Sequence, residues 1–327
     1  MTYALELKDV SKSFGLVHAN KDIDLAVSPG SIHGIIGENG AGKSTLMNII
    51  YGMHRADKGT ISFNGQQVDV RSSADAIEHG IGMVHQHFML VPTFSVLENV
   101  MLGSEGGLTL SEGRATALER LTHLSTTYNL EVDPHALVSD LNVGQRQRVE
   151  IIKALKGGAK VLILDEPTGV LTPQEADQLF EILKVLRDDG VSVLLITHKL
   201  TEIMDITDTV SIMRQGEMVG HRKTSETSPQ DLAELMVGRE VLLEVTRTPA
   251  TPAEVRFSAK NLGYTNSQGV VELEDINFEV RAGEILGVAG VSGNGQTQLM
   301  ETLAGMLPLT TGVINILGTE VTSADAT

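Results

Sequence analysis

The 327-residue chain has no cysteine, a shortage of basic residues and no long uninterrupted apolar run. Without cysteine there is no disulfide framework and no thiol chemistry, which suits a reducing compartment. Asp and Glu number 42 against 25 Lys and Arg, a formal net charge of −17. Because nucleic-acid binding draws most of its affinity from basic surface, this balance disfavours a nucleic-acid partner.

No segment of the sequence predicts a membrane span. The longest stretches without formal charge, 80–97 and 302–319, are both interrupted by proline. A proline in such a stretch interrupts the backbone hydrogen bonding of a helix, and polar groups left without partners are unfavourable in lipid. Residues 1–6 lack the basic and apolar regions of a signal peptide. We therefore expect no part of this sequence to span a membrane.

The most informative feature present is the glycine-rich loop Gly37–Thr45, which matches the phosphate-binding pattern GxxxxGK[ST] in full. Glycines let backbone N–H groups crowd against phosphates, and the following helix points its positive end at the anion. Lys43 can then reach the β- and γ-phosphates, and the Ser44 hydroxyl can ligate Mg²⁺. The flanking residues predict a strand at 31–36 and a helix at 46–51, which favours a nucleotide site over a plain glycine-rich turn.

A second copy of this loop occurs at Gly290–Gln298, with Gln296 in place of the lysine. Three further pairs of glycines are separated by the same number of residues as the two loops: Gly52 and Gly305, Gly59 and Gly312, and Gly65 and Gly318. The repeat predicts a tandem nucleotide-binding protein with one complete phosphate site and one degenerate site.

The pattern of apolar residues divides the chain into domains. Strands are expected at 3–9, 21–27 and 59–63, and mainly helical structure from about 88 to 157. Apolar runs at 161–164 and 191–196 suit parallel strands buried on both faces, joined by an amphipathic helix at 174–186.

Two prolines among small polar residues at 246–253 predict a linker. We place the first domain at 1–240, the linker at 241–254 and a second-domain fragment at 255–327. This fragment is expected to lack everything beyond its phosphate helix and the next strand.

Further candidate side chains follow the predicted strands. Asp165 and Glu166 end the run at 161–164, at the strand edge where open α/β sheets bind ligands. Asp165 can hold Mg²⁺ through water, and Glu166 can orient and polarise an attacking water. His198 and Gln86 follow two other strands; alone, a structural histidine and a surface glutamine are the simpler interpretations.

Residues 141–150 place an asparagine, Asn142, at the N-cap of a predicted helix. A helix N-terminus can bind an anion. Taken alone, however, this motif favours an ordinary capped helix.

Together these residues resemble the ATP-binding subunits of ABC transporters, over nearly the whole chain from Phe14 to Gly305. The resemblance implies an α/β P-loop ABC ATPase fold with an antiparallel β subdomain and a helical subdomain, followed by a partial second copy. It implies the following ATP contacts: the adenine-stacking Phe14, the Walker A residues Gly37, Glu38, Asn39, Gly40, Ala41, Gly42, Lys43, Ser44 and Thr45, and the signature residues Asn142, Gly144 and Gln145. It implies catalytic roles for Lys43, Gln86, Glu166 and His198, and Mg²⁺ ligation by Ser44, Gln86 and Asp165.

The subtype is similar to the double-domain ATPases of nucleoside and simple-sugar importers. The stretches that carry this similarity are Met83–Pro92, Val143–Ile151, Glu166–Glu175 and Gly290–Gln296. Within that group, residues 85–88 look more like the nucleoside branch than the ribose or galactose branch. The resemblance implies ATP hydrolysis that drives import through separate transmembrane permeases, at the cytoplasmic face of the membrane, with an extracytoplasmic substrate-binding protein as an indirect partner.

Other interpretations stay open at this point. A ribose- or galactose-type importer ATPase fits the same motifs. A soluble ABC protein of translation or DNA repair would predict a basic surface, which the charge disfavours. A non-catalytic regulatory module fits only the second half of the chain. This sequence does not identify the transported solute, because partner subunits select it.

Three residues depart from the general ABC pattern. Asn142 replaces the usual signature serine, although its amide can still donate to phosphate. Thr172 stands where most ABC proteins have an aspartate, and Gln296 removes the lysine charge from the second loop. In the family two domains pair head to tail, so that each ATP lies between one phosphate loop and the other domain's signature. We therefore expect this chain to bind ATP but to hydrolyse it poorly.

Overall fold

A computed structural model describes residues 2–103, 110–239, 250–291 and 293–321. The chain divides into two compact units, Met1–Leu243 and Glu244–Thr327. Of the predicted linker at 241–254, residues 241–249 lie outside the described part. Among the described residues, no helix has both the length and the apolarity that crossing a membrane requires.

The first unit alternates strands and helices. Its strands are β1 (Leu5–Phe14), β2 (Val17–Val27), β3 (Ile32–Ile36), β4 (Lys58–Phe63), β5 (Gln66–Val68), β6 (Ile81–Val84), β7 (Val161–Asp165), β8 (Ser192–Ile196), β9 (Thr209–Arg214) and β10 (Glu217–Lys223). Its helices are α1 (Lys43–Ile50), α2 (Ser73–Glu78), α3 (Val96–Met101), α4 (Leu110–Thr127), α5 (Val143–Leu155), α6 (Pro173–Asp188), α7 (Leu200–Ile206) and α8 (Pro229–Val237).

A six-stranded sheet in the order β10-β9-β3-β8-β7-β6 forms the centre of this unit. All neighbouring pairs are parallel except β10 with β9. Every residue of β3, β7 and β8 is buried, which explains why these strands are continuous apolar runs. In this register Ile196 lies beside both Ile35 and Asp165. The loops that follow β3, β7 and β8 therefore emerge side by side at one edge.

A second sheet, antiparallel and in the order β2-β1-β4-β5, shares a core with the first. That core contains Leu7 and Ile61 from the antiparallel sheet, Ile35 and Ile163 from the parallel sheet, and Leu46 from α1. The shared apolar side chains hold α1, and with it the phosphate loop, against both sheets.

The region predicted to be mainly helical from 88 to 157 contains α3, α4 and α5, but it also contains irregular stretches. Residues 104–109 lie outside the described part. Residues 88–94 and 129–137 are irregular because each stretch contains a proline, Pro92 or Pro134, which cannot continue a helix. The second of these loops caps α3: the carbonyl of Pro134 accepts from Leu97 N–H at 3.0 Å.

The second unit repeats the antiparallel layout. Its elements are β11 (Val255–Thr265), β12 (Val271–Arg281), α9 (Gln296–Leu303), β13 (Thr311–Ile316) and β14 (Thr319–Glu320), with the sheet order β12-β11-β13-β14. The counterpart of β3, at 284–290, forms no regular strand, and Ile285 is 94% exposed. In the first unit β3 is buried between β8 and β9, and residues 250–321 supply no such neighbours.

Candidate functional site

The phosphate loop is shaped by close backbone approaches that only glycine permits. Gly42 has φ +100°, and a Cβ at this position would lie 2.3 Å from the Ala19 carbonyl. A Cβ at Gly37 would lie 2.4 Å from the Met213 carbonyl. The loop therefore packs against β2 and β9, and Asn20 of β2 donates to the Gly42 carbonyl at 3.1 Å. Helix α1 begins directly after Gly42, at Lys43.

Lys43 is buried and folds back over its own loop. Its Nζ donates to the carbonyl oxygens of Gly37 at 2.7 Å and Glu38 at 3.0 Å. Burial lowers the pKa of Lys43, and the carboxylates of Glu166 and Asp165 oppose that shift. The two carbonyl dipoles thus hold the ammonium at the loop, near the carboxylates of Asp165 and Glu166. Glu38 and Asn39 are exposed at the tip.

The carboxyl end of β7 brings two acids to this loop. Asp165 is buried at the end of β7. Burial and the neighbouring Glu166 raise the pKa of Asp165, while Lys43 and Ser44 oppose the rise. Glu166 has a left-handed backbone, φ +47°, and its N–H donates to the Ile196 carbonyl at 2.9 Å. A non-glycine residue in that conformation is strained, so the surrounding structure must hold it there.

The Glu166 side chain is held by residues from two other strand ends. Gln86, after β6, donates its Nε2 to Glu166 Oε2 at 3.2 Å. His198, after β8, places Nδ1 3.1 Å from Glu166 Oε1 and donates when that nitrogen carries the proton. The His198 side chain is half-exposed, whereas Glu166 is mostly buried. The structure therefore brings Lys43, Glu166, Gln86 and His198 to one edge of the sheet.

The donor set at this edge fits a magnesium ion bound together with phosphate. Mg²⁺ prefers hydroxyl, carboxylate and amide oxygens. Ser44 is near enough to lower the pKa of Asp165. Gln86 uses its amide nitrogen for Glu166, so its amide oxygen is the atom available to a metal. Within the described ranges, no cluster of three or more His, Cys, Asp or Glu could hold a metal by itself. A cation here would need phosphate oxygens as additional ligands.

The signature residues lie at the start of α5. Asn142 is the N-cap: its Oδ1 accepts from Gln145 N–H at 2.8 Å, and Gln145 Oε1 accepts from Asn142 N–H at 3.0 Å. The Asn142 Oδ1 atom is thus used in the capping box, and the Asn142 Nδ2 group is the side-chain donor that could reach a phosphate. In the part of the chain that the structure describes, no hydrogen bond joins residues 142–145 to the phosphate loop. The signature and the loop of one unit do not form a joint site.

Phe14, the residue predicted to stack on adenine, ends β1. Its ring is 46% exposed and contacts His54 edge to face, with ring centroids 5.3 Å apart. Lys12 Nζ lies 5.5 Å from the Phe14 ring centroid. An exposed aromatic face is available for stacking, on the sheet whose β2 strand contacts the phosphate loop.

The described glycines of the degenerate loop keep the backbone conformation of their counterparts in the intact loop. Gly295 has φ +87°, matching Gly42, and α9 starts directly after it. Gln296 Nε2 donates to the Val291 carbonyl at 3.3 Å. This contact corresponds to the one between Lys43 and the Glu38 carbonyl. Ser292 lies outside the described residues. The described part of this loop therefore resembles the intact loop, but it carries no ammonium.

Sequence reasoning missed a group of residues buried behind Glu166 and His198. Glu202, in the first turn of α7, receives hydrogen bonds from Thr168 and Thr197. A glutamate four residues after the predicted histidine, at the start of a helix, is the pattern that could have drawn attention to it.

The phosphate loop, the paired acids and the sheet order define a P-loop ATP-binding cassette. A sequence profile described as ABC transporter matches residues 20–169 and 273–327. This chain therefore belongs to the ABC transporter family, as the motifs predicted. It is similar in fold, with a TM-score of 0.64 and 26% identity, to MJ1267, an ATP-binding cassette of an ABC transporter, covering 72% of this chain and 99% of that one. The predicted family and fold class are confirmed.

Two curated relatives are similar over 98% of the chain. The glucose import ATP-binding protein TsgD13 of Haloferax volcanii is 45% identical. The nucleoside import ATP-binding protein NupA of Lactococcus lactis is 43% identical. In each case the chain spans 63% of the relative's own length.

Proposed function

We propose that this chain binds and hydrolyses Mg·ATP as the ATP-binding subunit of an importer for a nucleoside or a related simple sugar. The observation that carries the proposal is the convergence of Lys43, Asp165 and Glu166 at the carboxyl edge of the parallel sheet, with Gln86 and His198 holding Glu166. Phosphoryl transfer needs positioning and charge neutralisation more than covalent chemistry, and this edge supplies both.

Each residue has a distinct part in this proposal. Lys43 leaves the loop carbonyls and neutralises the β- and γ-phosphates. Ser44 and Asp165 would hold Mg²⁺, which would supply positive charge to stabilise the developing negative charge on the phosphates. Glu166 accepts a hydrogen bond from the attacking water and orients it, and Gln86 and His198 keep Glu166 in place.

A complete site would form between two ABC domains. The signature at 142–145 is not bonded to its own phosphate loop, and its Asn142 and Gln145 N–H groups are used in the capping box, so the Asn142 Nδ2 group is the donor it can offer to a nucleotide on another domain. Head-to-tail pairing of this kind would couple closure to hydrolysis. We propose that closure drives separate permease subunits at the cytoplasmic face of the membrane, fed by an extracytoplasmic substrate-binding protein.

The relatives support the import role but differ in solute, one being named for glucose and one for nucleosides. Residues 85–88 favour the nucleoside class in this chain. The ribose or galactose class is the alternative, and transport assays with the neighbouring permease genes and radiolabelled guanosine, ribose or glucose distinguish them. Uptake of ribose or glucose without any nucleoside would refute the nucleoside assignment.

The surface around residues 88–94 is the proposed permease contact. Met89 is 55% exposed and Phe94 38% exposed, whereas Leu90 packs against the core. The Met89 backbone is fixed from α5, since Lys153 Nζ donates to its carbonyl at 2.7 Å. A fixed backbone with exposed apolar side chains suits a partner helix better than solvent.

Co-purification with the permeases tests this contact. Met89→Asp and Phe94→Asp should abolish co-purification while the domain stays folded. Val185→Asp, on the 42%-exposed Val185 of α6, is the matched control and should assemble normally. Full assembly of the two test variants would refute the contact. Capture of ribosomes or DNA by the wild-type chain would instead favour a soluble ABC protein.

A further inference from the structure

A buried carboxylate lies directly behind the Glu166–His198 contact. Glu202 is 6% exposed, and both of its oxygens have partners. Thr168 Oγ1 donates to Glu202 Oε1 at 2.5 Å, and Thr197 Oγ1 donates to Glu202 Oε2 at 2.9 Å. Both threonines are 2% exposed, so this cluster is protected from solvent.

Lys199 supplies the charge that a buried carboxylate requires. Its Nζ lies 3.0 Å from Glu202 Oε1 and donates to the Thr168 carbonyl at 3.1 Å. Its backbone N–H donates to Thr197 Oγ1 at 3.1 Å. The hydrogen bonds and the ion pair therefore join three segments: the loop after β7, the loop after β8 and the first turn of α7.

Those two loops carry the side chains that face each other in the site. Thr168 lies two residues after Glu166, and Thr197 immediately precedes His198. The Glu166 carbonyl accepts from Gly169 N–H at 3.2 Å within the same short turn. Because Glu166 has a strained left-handed backbone, something beyond its own turn must hold it.

We propose that Glu202 is a positioning residue that sets the distance and orientation between Glu166 and His198 by binding Thr168 and Thr197. It acts through these threonines, which are its hydrogen-bond partners. The kinetic consequence rests on the ATPase function proposed above, whereas the effect on the two loops does not.

Four variants test the role. Thr168→Val removes the hydroxyl at nearly constant volume, and Thr168→Ser restores it. Glu202→Gln keeps the shape but removes the charge that pairs with Lys199. Glu181→Gln makes the same chemical change in an exposed pair with Lys184 on α6, where the glutamate side chain is 72% exposed, and serves as the control.

The first readout is amide hydrogen exchange in the full chain, which requires no turnover. Exchange at the amides of Glu166, Gly169 and Lys199 should be about tenfold faster in Thr168→Val and in Glu202→Gln. Exchange in Thr168→Ser and Glu181→Gln should match the wild type, and the amides of β7 and β8 should be unchanged in all variants. Unchanged loop exchange in Thr168→Val would overturn the proposal, even if Glu202→Gln fails to fold.

The second readout separates turnover from binding. In Thr168→Val and Glu202→Gln, kcat should fall about ten- to a hundredfold because small misplacements of catalytic groups are costly, while Kd for ATP stays within about twofold. Thr168→Ser should recover most of kcat. Normal kcat despite loosened loops, or faster exchange throughout the whole unit, would overturn a positioning role. If the wild type itself hydrolyses no ATP, the proposed function fails, and the exchange data still decide whether Glu202 holds the loops.

Discussion

Replacing Lys43 by alanine is the sharpest test of the intact site. Lys43 is 6% exposed, and its ammonium has two carbonyl partners at 2.7 and 3.0 Å, so the charge is already positioned at the loop. A hydrogen bond to a charged group is worth about 1.5–3 kcal/mol, equivalent to about ten- to a hundredfold in affinity.

Two further effects of the substitution oppose each other. Burial lowers the pKa of Lys43, so its removal recovers part of a desolvation cost. Its removal also leaves Asp165 and Glu166 facing the phosphates without a counter-charge, which weakens binding. We therefore expect Lys43→Ala to raise Kd for Mg·ATP by about tenfold or more.

Isothermal titration calorimetry on folded protein measures this change. Gln296→Ala is the matched control, because Gln296 stands at the corresponding position of the second loop and contributes no charge. It should leave Kd within about twofold of the wild type. Wild-type affinity in Lys43→Ala, or equal weakening in both variants, would refute the assignment of nucleotide binding to the first loop.

Three other predictions follow from the site and the core. Glu166→Gln keeps the reach toward Gln86 and His198 but loses the base, so ATP binding should persist while turnover falls about a hundredfold or more; near-wild-type turnover would assign that role to another group. Because the signature is not bonded to its own phosphate loop, turnover per molecule in the 327-residue chain should be low and should rise steeply with protein concentration. A constant rate per molecule across an about hundredfold dilution would contradict the need for a second signature. Burial lowers the pKa of His33 from 6.5 to about 3, so below about pH 6.5 the unfolded chain takes up a proton that the folded protein refuses. That residue alone should therefore lower the free energy of unfolding by about 2 kcal/mol between pH 7 and pH 5. Urea titrations of His33→Gln should show a pH dependence weaker by that amount, and identical pH dependence in the two proteins would contradict the burial argument.

The sequence was sufficient for features that short spacings encode. The phosphate loop depends on glycines and a lysine within nine consecutive residues, so Gly37–Thr45 could be recognised before any tertiary contact was known. The strands β7 and β8 were predictable because strands buried on both faces are uninterrupted apolar runs. The degenerate loop was visible for the same local reason, since one substitution, Gln296, removes the charge.

Tertiary structure alone decided how distant segments meet. Gln86, Glu166 and His198 follow three different strands, and only the parallel register of β6, β7 and β8 brings their side chains within hydrogen-bonding distance. The irregular segment at 284–290 has a strand-like composition similar to that of β3, yet no strand among the described residues pairs with it. Glu202 is likewise an ordinary helix glutamate in sequence. Its role depends on two threonines that lie 34 and 5 residues away along the chain, because hydrogen bonds across a packed core are set by the fold and leave no local pattern.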